Sequence, residues 1–244
     1  LFTAIGDALD ASGFPRVFAG LVEAAGPEVS APDARVLKRP AVQSTWTSIV
    51  RVSGFAAACS TEVTGSGFVI APEYVMTNAH VVAGVSHAHV SIPGSVQVKS
   101  AHVVYFDPAI DIAVLRVEAL KAAPLRFSSI DASTGDAAVV VGYPGGGALD
   151  ASAARVRALL EARGEDIYGN SGVTRSVYSF RGSVIPGNSG GPLLTPDGQV
   201  YGMVFASGVD DPSTGYALSA DQVAPALDAV GSSADVDTGD CRTR

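Results

Sequence analysis

Hydrophobic and polar positions divide the chain into three regions of different predicted structure. Over residues 1–25 apolar side chains recur at helical spacing, with Ile5 and Leu9 on one face, and predict an N-terminal helical segment. Residues 26–44 contain three prolines and mixed charges, a composition typical of a linker. From Thr47 the chain changes to short valine-rich runs separated by Gly, Pro, Asp and Asn, which predict β-strands joined by tight turns.

The predicted strands form two sets. The first covers residues 48–52, 67–70, 75–77, 89–92, 96–104 and 112–117, and the second covers 137–141, 173–180, 199–205 and 216–218. Many short strands at this spacing predict an all-β fold of barrels or a sandwich. Residues 151–163 do not fit the pattern, because their Ala, Leu, Glu and Arg content favours a helix.

The C-terminal region combines a predicted helix with a polar tail. Ser219 and Gln222 form a capping-box pattern before the apolar run VAPALDAV, and Gly231 can end the helix. The acidic sequence after Gly231 predicts a flexible tail apart from Cys241.

Composition and charge narrow the classes of function. The chain is 47% hydrophobic and 16% charged, a composition that excludes wholesale disorder. Its 244 residues suffice for one large or two small domains. A formal net charge of −8 argues against nucleic acid as the main partner. The sequence shows neither an uninterrupted apolar stretch of membrane-spanning length nor a signal peptide. Because it begins at Leu1 rather than Met, we expect a mature chain or a fragment, with any targeting or membrane segment upstream.

The two cysteines, Cys59 and Cys241, lie far apart in the sequence. They are either two buried thiols or a disulfide. Cys241 lies in a polar tail with little apolar sequence to bury it, which favours a disulfide and an oxidising compartment.

Ser189 stands among three glycines in PGNSGGP, residues 186–192. The stretch is either a turn between strands or a fixed loop that presents a nucleophile. A serine nucleophile needs a base, and the base needs an orienting partner. All four histidines precede Ser189, namely His80, His87, His89 and His102. The G-x-S-x-G elbow of α/β-hydrolases needs a histidine after the serine, so that interpretation is excluded.

The order of residues that remains is His, Asp, Ser. A subtilisin-like order needs an aspartate before the histidine, where the aspartates, such as Asp33, all stand in the predicted helix or linker. His80 follows an apolar strand pattern in VMTNAHVV and is either a base or a structural histidine. Asp111 opens the apolar pattern DIAVLRV, and a carboxylate at the end of a buried strand needs a partner such as an imidazole N–H.

The motifs VMTNAHVV, DPAIDIAVL and PGNSGGP, in this order, resemble the trypsin-like serine endopeptidases, most closely the bacterial HtrA/Deg-type branch. The resemblance covers about residues 45–230 and implies a chymotrypsin-like double β-barrel in which residues 151–163 form a strand. It implies that His80 is the general base, Asp111 its orienting partner and Ser189 the nucleophile. The backbone N–H groups of Gly187 and Ser189 would then form the oxyanion hole.

The resemblance also divides the chain. Residues 1–44 are predicted as a helical segment and linker, 45–231 as the protease domain of two β-barrels, and 232–244 as a tail tethered through Cys241. The sequence after the protease region is too short for the PDZ domain of HtrA proteins. In this the chain is similar to membrane-anchored mycobacterial serine proteases that face the periplasm and confer acid resistance, and we expect the same location and role.

Four further residues are predicted to bind substrate. Ser183 stands six residues before Ser189, where a carboxylate would select Arg or Lys. With Phe205, Ala206 and Ser207 it predicts a cleft that takes a small or apolar side chain before the scissile bond. The expected partners are peptides or proteins, and the oligomeric state is left open. A non-catalytic binding module of the same fold and an esterase with the same triad are the alternatives.

His87 and His89 offer two metal ligands on one face of a strand. With no third ligand nearby, solvated histidines are favoured, so no metal or cofactor is expected.

Asn188 precedes the predicted nucleophile, where the digestive branch of the family has an aspartate that pairs with a newly cut N-terminal amine. Asn188 has no charge to offset the desolvation of a buried ammonium. The sequence therefore predicts a protease that needs no zymogen cleavage. The stretch ARVLKRP, residues 34–40, is predicted as an exposed linker that proteases can cut.

Overall fold

In a computed structural model of the chain, which describes residues 26–95, 97–208 and 211–241, twelve strands close into two barrels. The first barrel, in the order β1-β2-β3-β6-β5-β4, contains β1 Ile49–Ala56, β2 Thr61–Ala71, β3 Tyr74–Thr77, β4 Val85–Ser91, β5 Val98–Asp107 and β6 Ile112–Arg116. The second, in the order β10-β11-β12-β9-β8-β7, contains β7 Ala137–Gly142, β8 Asp150–Glu165, β9 Ser171–Arg181, β10 Pro192–Leu194, β11 Val200–Ser207 and β12 Thr214–Ser219. Closure removes open sheet edges. The predicted double β-barrel is confirmed.

The helices of the described residues are short. They are the 3-10 turns Ala34–Lys38, Trp46–Ser48, Ala57–Cys59, Ala79–Val81, Pro144–Gly146 and Ala224–Ala229, and the α-helices Pro40–Ser44 and Ala220–Val223. None of these is long and apolar enough to cross a membrane. The helical segment predicted over residues 1–25 lies outside the described residues.

Each barrel has its own core, and a third core joins the two. In β1, Val50 and Val52 fill the first barrel, whereas Ile49 faces the shared core. In that core Ile49 and Phe68 of the first barrel are fully buried together with Met203 of the second. Each such side chain contributes about 1.5–3 kcal/mol on burial, so the shared core holds the barrels together.

Residues 151–163 form most of β8, so the strand implied by the resemblance is confirmed and the helix favoured by composition is wrong. β8 pairs with β7 on one side and with β9 on the other. Helix propensities differ by about 0.7 kcal/mol per residue or less among such residues. Two sets of backbone hydrogen bonds outweigh that preference.

The predicted linker packs against the barrels instead of running free. Val42 is fully buried and Val36 is 7% exposed, both in the shared core. Pro40 is the first residue of an α-helix, where its missing N–H costs no hydrogen bond. The stretch 34–40 is therefore folded into short helical turns and anchored through Val36, while most of its side chains are exposed as expected.

The predicted C-terminal helix is present and short. Ser219 Oγ accepts the N–H of Gln222 at 3.2 Å, and one α-helical turn continues as a 3-10 turn to Ala229. Gln222 Oε1 accepts the N–H of Ser176 at 2.7 Å. The second half of the capping box is thus replaced by a bond to β9.

The tail after residue 231 is held on the first barrel, so the prediction of a flexible tail is wrong for its described part. The N–H of Val236 donates to the carbonyl of Val103 at 2.9 Å. Cys241 is joined to Cys59 by a disulfide whose Cα atoms lie 6.2 Å apart. Backbone hydrogen bonds and a covalent bond fix a segment that has little apolar surface of its own.

Candidate active site

His80 and Asp111 meet where two neighbouring strands end at one edge of the first barrel. β3 leads into the turn Ala79–Val81, and Asp111 precedes β6, which pairs with β3. His80 Nδ1 lies 2.7 Å from Asp111 Oδ2, and the backbone N–H of His80 donates to Asp111 Oδ1 at 2.9 Å. The side chain of His80 is 7% exposed and that of Asp111 is fully buried. A carboxylate only accepts, so Nδ1 carries the proton and Nε2 of the neutral ring is left able to accept one.

The backbone of Asp111 is held in an unusual conformation. Its φ is +74°, in the left-handed region that few residues other than glycine adopt. Asn78 Nδ2 donates to the carbonyl of Asp111 at 2.9 Å, and the N–H of Asp111 donates to the carbonyl of Asp107 at 2.9 Å. Such conformations cost roughly 1–3 kcal/mol and persist where the surroundings hold them. The neighbours of Asp111 therefore direct its carboxylate to His80.

A buried arginine of the second barrel supports the loop before Asp111. Arg175 of β9 is 1% exposed. Its Nε donates to the carbonyl of Ile110 at 3.2 Å, and its Nη2 donates to the carbonyls of Ala109 and Glu165. Burial lowers the pKa of Arg175 below its ordinary value, and the attraction of Asp111 opposes this shift. The guanidinium remains charged, and its hydrogen bonds hold the loop that leads to Asp111.

Ser189 lies in the loop between β9 and β10, at the seam between the barrels. Its carbonyl accepts the N–H of Ser66 in β2 at 2.8 Å. The next residue, Gly190, donates its N–H to the carbonyl of Val204 in β11 at 2.8 Å. Ser189 is 4% exposed. Both barrels thus fix the backbone that carries the serine.

Within the described residues the N–H groups of Gly187 and Ser189 donate to no backbone acceptor, whereas those of Asn188, Gly190 and Gly191 do. The carbonyl of Pro186 accepts the N–H of Gly145 at 2.7 Å. The C=O and N–H of one trans peptide point in opposite directions, so the N–H of Gly187 points away from Gly145. Gly187 has φ +96°, and a Cβ there would clash with the carbonyl of Tyr143. Two amide donors beside a serine hydroxyl suit a developing oxyanion.

The turn with His80 and the loop with Ser189 meet across Gly65 of β2. A Cβ at Gly65 would lie 2.7 Å from the side chain of Val81 and 3.1 Å from the carbonyl oxygen of Ser189. Among the described residues the ring of His80 is hydrogen-bonded to Asp111 and not to Ser189. In sites without substrate such bonds are often long and tighten on binding. The structure therefore brings His80 and Ser189 to one seam.

Residues 65–203, more than half of the chain, match the family of trypsin-like peptidase domains. The chain belongs to this family. It is 42% identical over 234 residues to the serine protease Rv3671c of Mycobacterium tuberculosis, which covers 96% of this chain and 58% of that protein. This trypsin-like peptidase thus spans a little over half the length of that relative.

A solved structure and a second relative are also similar to this trypsin-like peptidase domain. A crystal structure of the M. tuberculosis Rv3671c protease in its active form matches with a TM-score of 0.86 at 43% identity, covering 90% of this chain and 96% of that one. A probable periplasmic serine endoprotease of the DegP-like type from Chlamydia pneumoniae is 34% identical over 143 residues, 58% of this chain and 28% of that protein. The relatives of this domain are thus named as serine proteases, one of them of the DegP-like type.

The residues predicted to bind substrate in this trypsin-like peptidase differ in exposure. Ser183 is exposed and Ser207 is half-buried. Phe205 and Ala206 are fully buried, and both lie in the shared core. Their role stays a prediction, and for the buried pair it depends on the backbone of β11 rather than on exposed side chains.

The two histidines considered as metal ligands lie on β4 of this peptidase. His87 is exposed and His89 is half-buried. Across residues 26–95, 97–208 and 211–241 there is no group of three His, Cys, Asp or Glu side chains that could hold a metal ion.

Three residues of the site were not predicted from the sequence, namely Ser66, Thr77 and Arg175. Thr77 Oγ1 donates to the carbonyl of Ser66 at 2.7 Å, and Ser66 Oγ donates to the carbonyl of Gly187 at 2.6 Å. The sequence could have indicated Ser66, because a serine between two glycines in GSG marks a hydroxyl where chain segments approach closely. Arg175 gave no signal, because it stands in an ordinary strand pattern.

Proposed function

We propose that this domain is a serine endopeptidase that hydrolyses peptide bonds in protein substrates through an acyl-enzyme on Ser189. The observation that carries the proposal is the shared seam. The His80–Asp111 pair lies on the same seam as a serine whose loop presents two amide donors without backbone acceptors. This combination supplies a base, a nucleophile and an oxyanion site.

The mechanism assigns one role to each group. His80 Nε2 takes the proton of Ser189 as Oγ attacks the scissile carbonyl, and later gives it to the leaving amine. The N–H groups of Gly187 and Ser189 bind the negative oxygen of the tetrahedral intermediate, where loss of one donor typically costs about 10²–10³ in rate. Asp111 orients the imidazole and stabilises its protonated form. Water, activated by the same base, then hydrolyses the acyl ester.

The protein is proposed to act outside the cytoplasm. One relative is named as a probable periplasmic protease, and a Cys59–Cys241 disulfide suits an oxidising compartment. The preference for small or apolar side chains, membrane anchoring and a role in acid resistance stay predictions.

Covalent labelling and substrate profiling test the proposal. A phosphonofluoridate should label Ser189 stoichiometrically, as read by peptide mass spectrometry, and should leave the Ser189→Ala variant unlabelled. A peptide library should show cleavage after small or apolar residues. A binding module would leave Ser189 unlabelled, whereas an esterase would be labelled and would turn over esters but not peptides.

We expect activity without any particular free N-terminus. Asn188 is 6% exposed and neutral, so it offers no charge to a buried ammonium. Upstream, Glu28 pairs with Arg157 of β8 at 3.0 Å, and the carbonyl of Val29 accepts from Arg181 of β9 at 2.8 Å. The described N-terminal residues are therefore held on the second barrel.

The measurement compares chains that begin at Leu1 and at Gly26, each with a free and an acetylated N-terminus. A chain that begins after Val42 would lack both Val36 and Val42, which are buried. All four chains should show kcat/KM within about threefold, since the amine takes no part in the site. Turnover by only one free N-terminus would contradict the role given to Asn188.

A further inference from the structure

We propose that Ser66 is a positioning residue, whose buried hydroxyl holds Gly187 in the conformation that presents its N–H to the substrate. The inference deepens the proposed function and rests on it. Ser66 does not touch the reacting atoms in this scheme. It acts through the loop that carries Gly187 and Ser189.

The three polar groups of Ser66 make four hydrogen bonds at the seam, and the residue is fully buried. Its Oγ donates to the carbonyl of Gly187 at 2.6 Å and accepts the N–H of Tyr143 at 2.9 Å. Its N–H donates to the carbonyl of Ser189 at 2.8 Å, and its own carbonyl accepts from Thr77 Oγ1 at 2.7 Å. One residue of β2 therefore joins the end of β7, the loop that carries Gly187 and Ser189, and β3, the strand that leads to His80.

The bonds on either side of Gly187 explain why this hydroxyl matters. Glycine is the residue whose backbone rotates most freely, and Gly187 has φ +96°. The carbonyl of Pro186, bound to Gly145 N–H at 2.7 Å, fixes the peptide plane before Gly187. The carbonyl of Gly187, bound to Ser66 Oγ at 2.6 Å, fixes the plane after it. Turning the N–H of Gly187 rotates the plane before Gly187 relative to the plane after it. The buried bond to Ser66 Oγ holds the second plane, so that plane cannot turn along with the first without leaving a buried carbonyl unpaired.

Three glycines pack closely against Ser66. A Cβ on Gly142 would lie 2.6 Å from Ser66 Oγ, and one on Gly191 would lie 3.3 Å from Ser66 Cβ. A Cβ on Gly190 would clash with the carbonyl of Ser66. The glycines on both sides of the nucleophile thus let β2 approach closely enough for the serine to reach Gly187.

The Ser66→Ala variant should lose turnover rather than substrate binding. We expect kcat to fall by about 10- to 100-fold, less than on removal of an oxyanion donor, with KM within about twofold. The base, its partner and the cleft stay in place, so the shape of the pH profile should not change.

Two matched inhibitors separate this effect from general loosening of the fold. With a peptide aldehyde ending in alaninal, Ser189 Oγ adds to the aldehyde carbon and the serine proton passes to His80, leaving an oxygen in the oxyanion hole. The corresponding peptide alcohol occupies the same cleft without a covalent bond. In Ser66→Ala the inhibition constant of the aldehyde should rise by the same factor as kcat/KM falls, while that of the alcohol stays within about twofold.

Equal weakening of both inhibitors, or unchanged kcat, would overturn the inference. The matched control is Ser179→Ala, which makes the same change at a fully buried serine whose Oγ has no partner among the described residues. That variant should keep full activity. Ser66→Gly, which removes the hydroxyl and adds no atom, should repeat the result and guards against a packing effect of alanine. If the unaltered protein neither cleaves peptides nor binds the aldehyde, the proposed function fails instead.

Discussion

Replacing Ser189 or His80 by alanine removes nearly all peptide hydrolysis while the protein stays folded. The serine, the base and the orienting carboxylate act as a unit, so loss of one leaves only the catalysis that binding and the oxyanion hole supply. Asp111→Asn should lower turnover by about 10⁴, because an amide at this position favours the wrong tautomer of His80. The measurement is kcat on a chromogenic peptide, beside the midpoint of thermal unfolding.

Controls distinguish catalysis from folding in this series. His102→Ala is the matched control for His80→Ala, since His102 is exposed and pairs with Asp235 of the tail at 3.1 Å. It should keep full activity. Asparagine also tolerates the left-handed conformation of residue 111, where φ is +74°, so Asp111→Asn should fold. Undiminished cleavage by Ser189→Ala would refute the proposed mechanism.

The same assignment sets the direction of the pH dependence. A protonated His80 cannot accept the proton of Ser189, so kcat/KM falls in acid. A protease that serves during acid stress would therefore not gain its advantage from a faster catalytic step. A rate that rises steadily from neutral to about pH 5 would contradict His80 as a simple general base.

Reduction of the Cys59–Cys241 disulfide lowers the midpoint of thermal unfolding by roughly 5–15 °C. The bond closes a loop with a sequence separation of 182 residues. The chain-entropy model gives about 5 kcal/mol for such a loop, which is an upper figure. The tail that it secures lies near the turn of His80, because the N–H of Gly84 donates to the carbonyl of Thr238 at 3.2 Å.

The measurement is thermal unfolding with and without a reductant. A variant with Cys59→Ser and Cys241→Ser is the matched control, since it should start at the lower midpoint and ignore the reductant. Mass spectrometry under non-reducing conditions gives the thiol state directly. Two free thiols in protein taken from an oxidising compartment would contradict the prediction.

The contact between His80 and Asp111 was predictable because both residues mark the ends of apolar strand patterns. The order of the chain then excluded other arrangements with Ser189. β8 was not predictable from composition, because its conformation is decided by two neighbouring strands that lie elsewhere in the sequence. Only the motif resemblance placed it.

Other parts of the structure depend on contacts that leave no local pattern. Val36 and Val42 are isolated apolar residues in a proline-rich stretch, and the barrels bury them. The tail is fixed largely through backbone groups such as Val236 N–H, which every residue type carries. The role of Ser66 needs the geometry of two barrels at once, so one stretch of sequence cannot reveal it.

The division of the site between the barrels bears on the stage of folding at which proteolytic activity appears. His80 and Asp111 belong to the first barrel, formed by residues 49–116, and Ser189 to the second, formed by residues 137–219. Domains generally fold as units, beginning with the N-terminal one during synthesis. A growing chain would thus hold a base before it has a nucleophile, and a half-folded chain would hold the two apart. Proteolytic activity would arise only when the barrels dock, so half-folded chains would not cleave one another.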